Sequence, residues 1–135
     1  MDLMVNIDVD DLERGIAFYT GAFGLRQGRR LGPEVAELLG GSAPLYLLAR
    51  AAGTPAAASM RHARSYERHW TPVHLDFVVE DVDAATLLAT RAGARLEDPV
   101  ETHPWGRIAH LADPFGHGIC LVQFLNRGYD EIASA

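Results

Sequence analysis

The residue types best suited to chemistry lie in one stretch, THPWGRIAHLADPFGHGICLVQF, residues 102–124. It contains His103, His110 and His117, each seven residues after the last, and Cys120, the single cysteine of the chain. Imidazoles and thiolates are ligands for zinc and other transition metals. A spacing of seven would align them on a helix, but helix-breaking residues exclude one: Pro104, Gly106, Pro114, Gly116 and Gly118. We expect two strands with turns, and histidines that point in different directions.

The composition favours a globular protein and disfavours a nucleic-acid partner. The chain has 135 residues, of which 48% are hydrophobic, and 18 acidic against 12 basic residues give a formal net charge of -6. This hydrophobic content suits a packed core rather than disorder. Nucleic-acid binding needs basic clusters, and the basic residues at 61–68 are scattered. A cationic or metal-bearing small molecule suits the acidic field better.

No sequence feature indicates export or a membrane partner. A lone cysteine cannot form an internal disulfide, so nothing points to an oxidising compartment. The first residues, MDLMVNIDVDD, are acidic and lack the basic-then-apolar order of a signal peptide. No apolar run approaches the roughly 18–20 residues of a membrane helix. We expect a cytoplasmic protein.

The chain contains the same pattern twice. VNIDVDDLERGIAFYTGAFGL begins at Val5, LDFVVEDVDAATLLATRAGA begins at Leu75, and aligning Asp11 with Asp81 gives an offset of 70 residues. Each copy predicts a strand with alternating apolar residues, an aspartate cap, and a helix that ends at glycine. In the first copy Glu13 suggests a capping box. The predicted buried faces are Leu12, Ile16, Tyr19 and Phe23 in one helix, and Val82, Ala85, Ala89 and Ala92 in the other.

Three apolar runs follow each helix: 25–31, 35–39 and 43–50 in the first copy, and 94–101, 106–112 and 117–124 in the second. Each copy therefore predicts a βαβββ module, and the chain an α+β fold with helices on one side of mainly antiparallel sheets. We expect a single domain, 1–135, with these parts: module 1 at about 3–50, a linker or mobile loop at about 51–71, module 2 at about 72–124 and a tail at 125–135. The second half of the linker is compatible with a short helix.

The doubled module resembles a known superfamily. The segments DDLERGIAFYTGAFGL, HLDFVVEDVDAA and DPFGHGICLVQF resemble the glyoxalase / bleomycin resistance / extradiol dioxygenase superfamily, also called vicinal oxygen chelate, over about residues 3–124. The resemblance implies two βαβββ modules whose mixed, mainly antiparallel sheets curve around a cavity. It also implies a homodimer. It leaves the chemistry open, because one scaffold hosts several functions.

The resemblance also places the metal positions of the superfamily. They fall on Met4 and His74 at the first strands of the two modules, and on Tyr46 and Cys120 at the last strands. Metal-dependent members would show His or Glu at most of these places, and only His74 does. One histidine and one cysteine fall short of the three or four ligands of a stable site. We therefore expect no metal and no cofactor, with a divalent metal as the alternative.

Polar residues at paired positions predict a ligand-binding face. His74 and Asp76 alternate on one face of a strand that, by the resemblance, lines the cavity. A carboxylate there must be hydrated, paired with a cation or hydrogen-bond donor, or used to bind a ligand. Asn6 is the counterpart of Asp76, 70 residues earlier, whereas Asp8 suits a solvent-exposed strand end. For His74, ligand contact and buried packing both remain open.

Three further residues complete the predicted ligand-binding set. Tyr46 and Trp105 offer an aromatic wall for a flat or cationic ligand, although Trp105 equally suits the hydrophobic interior. Cys120 is either an inert small hydrophobe or a nucleophile with His74 as its base. We interpret Trp70 and His69, which precede module 2, as residues that pack at a hinge.

Two functions compete. The first is a metal-free small-molecule binding protein, like the drug-resistance branch of the superfamily. The second is a divalent-metal lyase, isomerase or dioxygenase, which requires ligands that a shifted strand register would supply, such as His110 beside His74. A structural or regulatory dimer without ligand has little sequence support.

Overall fold

The computed structural model describes residues 1–134 and shows two helices and two mixed sheets. The chain divides into two compact units, of which the first ends at Glu67 and the second begins at Arg68. The predicted α+β class and the doubled strand–helix–strands pattern are confirmed. The single domain and its module bounds stay predictions.

The first unit is a four-stranded sheet with one helix. Its elements are β1 (Val5–Val9), α1 (Leu12–Phe23), β2 (Arg26–Arg30), β3 (Val35–Leu39) and β4 (Leu45–Ala49). The strand order is β1-β4-β3-β2; β1 and β4 are parallel, and the other pairs are antiparallel. Gly15 of α1 faces Val9 and Leu47, and a Cβ at this glycine would lie 3.2 Å from both side chains. These odd-numbered strand residues therefore point to the helix, and their even-numbered neighbours on β1 and β4 point away from it.

Local chemistry sets the ends of α1. Asp11 is the N-cap, and its side chain accepts a hydrogen bond from the Arg14 amide at 3.0 Å. The suggested capping box is wrong, because the Glu13 carboxylate pairs instead with Arg30 at 2.7 Å. Gly24 ends the helix with φ of 65°, a left-handed conformation that glycine adopts without a Cβ penalty.

The second unit repeats the arrangement with one strand divided. Its elements are β5 (Leu75–Val78), α2 (Val82–Ala92), β6 (Arg95–Leu96), β7 (Glu101–His103), β8 (Gly106–Ala112), β9 (Gly118–Phe124) and a short 3-10 helix (Gly128–Glu131). The order is β5-β9-β8-β6, with β7 also paired to β8. The strand predicted at 94–101 is thus two short strands. Pro99 lies between them and cannot donate to the ladder.

Residues 64 and 66 of the predicted linker, 51–71, are bonded to the rest of the first unit. Arg64 donates to the Asp8 carboxylate, and the Tyr66 hydroxyl donates to the Arg50 carbonyl at 2.6 Å, all within the first unit. The short helix predicted for its second half is wrong, since residues 59–70 contain only turns, bends and isolated bridges. Within residues 1–134, neither α-helix has the length and apolar character required to cross a membrane.

Candidate functional site

The face of the second sheet that points away from α2 carries a row of polar side chains. Strand register pairs Asp76 on β5 with Cys120 on β9, and Cys120 with His110 on β8. The helix lies on the other face, because the Gln123 side chain accepts a hydrogen bond at 3.0 Å from the Val82 amide, the first of α2. Alternate residues of a strand face opposite sides. We call Asp76, Cys120 and His110 the second polar row.

His74 joins this row at its β5 end. One nitrogen of His74, one carboxylate oxygen of Asp76 and the Cys120 sulfur all lie within 4.8 Å of one another. His74 Nε2 is 3.2 Å from Asp76 Oδ1. The His74 and Asp76 side chains are 41% and 40% exposed, whereas Cys120 is 2% exposed. The cluster therefore presents a nitrogen and an oxygen to solvent above a buried sulfur.

The environment of Cys120 keeps its thiol protonated. Burial raises the pKa of Cys120 to about 12, and the neighbouring Asp76 carboxylate adds to the rise. A nucleophilic cysteine requires the opposite shift, towards a thiolate at neutral pH. The arrangement therefore disfavours the nucleophilic pair of Cys120 with His74.

Trp70 organises the site, although the sequence pattern suggested only hinge packing. Its indole lies against Gly118, where a Cβ atom would overlap the ring. The ring meets His74 and His110 edge-on, with centroid separations of 5.4 Å and 5.7 Å. The indole N–H donates to the Glu97 carboxylate at 3.1 Å. Trp70 therefore contacts two histidines through one ring.

Arg68 fixes this tryptophan in turn. Its guanidinium carbon lies 4.5 Å from the Trp70 ring centroid, within the range of a cation–π contact. Arg68 Nε donates to the Glu97 carboxylate at 2.8 Å, and this bond lowers the pKa of Glu97. One carboxylate thus accepts hydrogen bonds from both the arginine and the indole.

His110 contributes a buried nitrogen that has no hydrogen-bond partner. Its Nδ1 atom is inaccessible to solvent and bonds to no group of residues 1–134. Leaving a buried polar atom unsatisfied costs about 1–3 kcal/mol. Such an atom is a candidate to receive a ligand donor.

The first unit has an equivalent row on the face away from α1. Strand register pairs Asn6 with Tyr46, and Tyr46 with Glu37. We call these three residues the first polar row. The Tyr46 hydroxyl donates to Glu37 at 2.8 Å, and Arg29 Nε donates to the same carboxylate at 3.0 Å. The Arg29 hydrogen bonds lower the pKa of Glu37 to about 2, and bonding to Glu37 raises the pKa of Tyr46.

Comparison with known proteins identifies the family. Residues 4–122 match the family described as glyoxalase-like domain. The chain belongs to this family. An uncharacterised protein of Mycobacterium bovis is 31% identical over 138 residues, which cover 98% of this chain and 90% of that protein.

Solved structures share the glyoxalase-like fold. A glyoxalase-related enzyme from Fulvimarina pelagi has a TM-score of 0.72 at 20% identity, covering 91% of this chain and 87% of its own. A glyoxalase / bleomycin resistance protein / dioxygenase family enzyme from Burkholderia phytofirmans has a TM-score of 0.71 at 22% identity, covering 93% and 100%. At these identities the likeness concerns the fold, and the function must be argued from the site.

The side chains of this glyoxalase-like chain can be tested against the metal site of the superfamily. Met4 lies before β1 and is 60% exposed, and the Tyr46 hydroxyl is bonded to Glu37. His74 and Cys120 do converge, and Asp76 supplies a third donor atom that the sequence pattern did not count as a ligand. Nitrogen, oxygen and sulfur donors suit zinc-like ions, and three protein ligands with an open position is a catalytic arrangement. The second unit therefore fits a divalent ion better than the sequence suggested.

The remaining predicted residues lie apart from this cluster. Trp105 stacks on His103 at 5.2 Å, contacts Tyr129 at 5.1 Å, and lies 6.5 Å from Phe124, all as ring centroid distances. Phe124 shares the face of Cys120, but four residues of strand separate them, about 13 Å at 3.3 Å per residue. The ligand-binding roles of Asn6, Tyr46 and Trp105 stay predictions.

The histidines at positions 103, 110 and 117 point in different directions, as predicted. His103 Nε2 lies 2.9 Å from the Glu101 carboxylate, His117 Nδ1 lies 3.3 Å from His69 Nε2, and His110 joins the second polar row. No register shift is needed to place His110 beside Cys120. Trp70 contacts both His110 and His74.

Sequence reasoning missed Glu37 and Trp70. Glu37 stands inside the apolar run VAELL, and a single charge within a buried strand is a signal that it is paired or used. For Trp70, the glycines of GHG at 116–118 left room on the sheet for a large ring. Nothing in the sequence indicated which ring would occupy it.

Proposed function

We propose that this glyoxalase-like chain binds a small molecule at the second polar row, on the sheet face that points away from α2. The observation that carries the proposal is the buried Nδ1 of His110, which has no hydrogen-bond partner in residues 1–134 and belongs to the same row as the exposed pair of His74 and Asp76. A buried polar atom without a partner costs stability, so a ligand donor would offset that cost. Because Nδ1 is inaccessible to solvent, the His110 ring must turn before a ligand donor can reach it, whereas the contact with Trp70 limits the reorganisation needed at His74.

The ligand class follows from the acceptors of the site. Asp76 carries a carboxylate that is 40% exposed, and the chain has a formal net charge of -6. His110 Nδ1 is either an acceptor or an N–H donor, depending on its tautomer. A small organic cation with N–H groups, such as an amine or guanidine, would satisfy the carboxylate and present donors to the histidine.

The direct test is a thermal-shift screen with organic amines, guanidines and their neutral analogues, followed by calorimetry on any hit. Asp76→Asn and His110→Phe keep side-chain size, and each should weaken binding about tenfold or more, because a lost charged hydrogen bond costs about 1.5–3 kcal/mol. Asp98→Asn and His62→Phe are matched controls at exposed positions and should bind like wild type. Equal affinity in all four variants would place the ligand elsewhere.

A divalent-metal lyase, isomerase or dioxygenase is the second candidate, favoured by the convergence of His74, Asp76 and Cys120. A bound ion would supply Lewis-acid activation of a substrate oxygen. The side chains would hold and orient that ion, and Trp70 would fix the ring of His74. Metal binding requires these ligands to release their protons, so affinity should rise with pH.

Metal content separates the two candidates. Protein incubated separately with Zn²⁺, Ni²⁺, Mn²⁺ or Fe²⁺ is desalted, and metal per chain is measured in wild type, His74→Ala and Cys120→Ser. Metal that is retained by wild type and lost in both variants supports the second candidate. Retention that is unchanged in both variants, or absent from wild type, leaves the metal-free proposal in place.

We also propose a cytoplasmic homodimer, and we keep Asn6, Tyr46 and Trp105 as predicted ligand-binding residues. Sedimentation at micromolar concentration tests the dimer, and a monomer would contradict it. Asn6→Ala and Trp105→Ala test whether these two residues contribute to ligand affinity. The Tyr46 hydroxyl is already bonded to Glu37, so Tyr46→Phe should affect ligand affinity less than Asp76→Asn.

A further inference from the structure

A second pair of histidines lies outside the ligand site. His69 Nε2 and His117 Nδ1 are 3.3 Å apart, and their rings meet edge to face with centroids 5.0 Å apart. His69 is exposed and His117 is partly exposed. Neither residue belongs to the cluster of His74, Asp76 and Cys120.

The separation of the two nitrogens suits a shared metal ion. At a zinc–nitrogen distance of about 2.0–2.1 Å, two ligands of a tetrahedral ion lie about 3.3–3.4 Å apart. The 3.3 Å between His69 and His117 matches that edge. A small rotation of the two side chains would turn both lone pairs towards one ion and would break the hydrogen bond between the rings.

The backbone holds the pair together before any ion arrives. The two residues form an isolated parallel bridge, in which His69 N donates to the Gly116 carbonyl at 2.9 Å and Gly118 N donates to the His69 carbonyl at 2.8 Å. The Asp113 carboxylate accepts from the His117 amide at 2.8 Å and so fixes the turn. A preorganised pair of ligands loses little conformational entropy on binding.

We propose that His69 and His117 form a bis-histidine site for a divalent transition-metal ion, made of residues other than those of the small-molecule site. Imidazole ligands suit Cu²⁺, Ni²⁺ and Zn²⁺, and Cu²⁺ is expected to bind most tightly. Water or a small chelator would fill the coordination positions that the two imidazoles leave open.

The position of the pair gives the ion a structural effect. His69 precedes Trp70, and His117 precedes Gly118, the residue against which the indole packs. An ion held by both histidines clamps the segment that carries Trp70 to the start of β9. Trp70 in turn positions His74 and His110, so the ion stabilises the arrangement of the second polar row.

The test uses Trp105→Phe protein, in which Trp70 is the single tryptophan. Cu²⁺, Ni²⁺ and Zn²⁺ are titrated separately by calorimetry, and Cu²⁺ quenching of Trp70 fluorescence is followed in parallel. We expect one ion per chain and quenching in the His74→Ala background, where the cluster of the second candidate function is removed. His69→Gln and His117→Gln should each weaken binding by at least about tenfold, the lower bound for loss of even an outer-shell partner.

The controls make each outcome decisive. His62→Gln removes an exposed histidine of the first unit and should leave binding unchanged. Circular dichroism of the two glutamine variants checks that the fold is intact. The proposal is overturned if His74→Ala protein binds no metal, or if both glutamine variants keep wild-type affinity. Metal that is lost only in His74→Ala would support the second candidate function and refute the bis-histidine site.

Discussion

The two polar rows occupy equivalent positions in the two units and are used in opposite ways. In the first row, Glu37 is bonded to Tyr46 and Arg29, so its carboxylate is occupied by the protein itself. In the second row, Asp76 is partly exposed, and His110 has a buried nitrogen that bonds to none of the described residues, 1–134. The repeat has kept the positions while the side chains at them differ. One row stabilises its unit, and the other has unused hydrogen-bonding capacity.

The arginine explains the difference. Arg29, on β2, reaches the carboxylate of Glu37 in the first unit. In the second unit, Arg68 comes from outside the sheet and is bonded to Glu97, so it does not neutralise Asp76. Asp76 instead lies next to the neutral thiol of Cys120, whose pKa burial raises to about 12, and next to His74, whose Nε2 is 3.2 Å from its carboxylate. The second row therefore retains an acidic site.

The largest expected effect tests the packing that holds the second row. Gly118→Ala places a methyl group where the Trp70 ring lies and should lower the free energy of unfolding by about 1–3 kcal/mol, as overpacking does. Denaturant unfolding measures the change. Gly41→Ala, in the first unit, meets only an ordinary contact at 3.5 Å and serves as the control.

A double variant shows whether the ring is the cause. On a Trp70→Ala background the added methyl group has space, so Gly118→Ala should cost almost nothing there. Such non-additivity is the signature of residues in contact. Equal costs on both backgrounds would mean that Trp70 does not lie on Gly118, and the two histidines would lose their common support.

Much of the fold could be predicted because it depends on local chemistry. The offset of 70 residues correctly paired Asn6 with Asp76, and the structure places them beside Tyr46 and Cys120 in matching registers. The alternation of strand residues and the glycines at helix ends can be recognised from neighbouring residues alone. The same local patterns predicted the two βαβββ modules.

The contacts that define the site could not be predicted, because they join distant segments. Trp70 packs against a residue 48 positions later, and the sequence gives no measure of that distance in space. The register of β2 shifts between Gln27 and Arg30, so alternation alone does not show that Arg29 reaches Glu37. Both failures concern side-chain contacts between separate segments of the chain, which are known only from the tertiary structure.

The next effect is a pH dependence specific to the first row. The pKa of Glu37 is lowered from 4.5 to about 2 in the folded chain. Its stabilisation is therefore fully present above pH 4.5 and is lost as the pH falls towards about 2. Glu37→Gln should melt at a lower temperature at pH 7 and show a flatter decline of melting temperature across that acid range.

Two variants sharpen this test. Tyr46→Phe removes one donor to Glu37 and should give an acid profile between wild type and Glu37→Gln. Glu34→Gln removes the same charge from an exposed position of the same unit and controls for net charge. Parallel profiles for Glu37→Gln and wild type would mean that the first row does not hold its carboxylate ionised.

The smallest expected effect compares one threonine in each helix. Thr20 of α1 donates its hydroxyl hydrogen to the Ile16 carbonyl at 2.7 Å, whereas the buried Thr86 hydroxyl of α2 bonds to no group in residues 1–134. Thr86→Val should raise the free energy of unfolding by up to about 1 kcal/mol, because it removes an unsatisfied polar atom without changing shape. Thr20→Val should lower it or leave it unchanged. If both valines destabilise equally in denaturant unfolding, the Thr86 hydroxyl has a partner in solution, and the second unit is better satisfied than its contacts indicate.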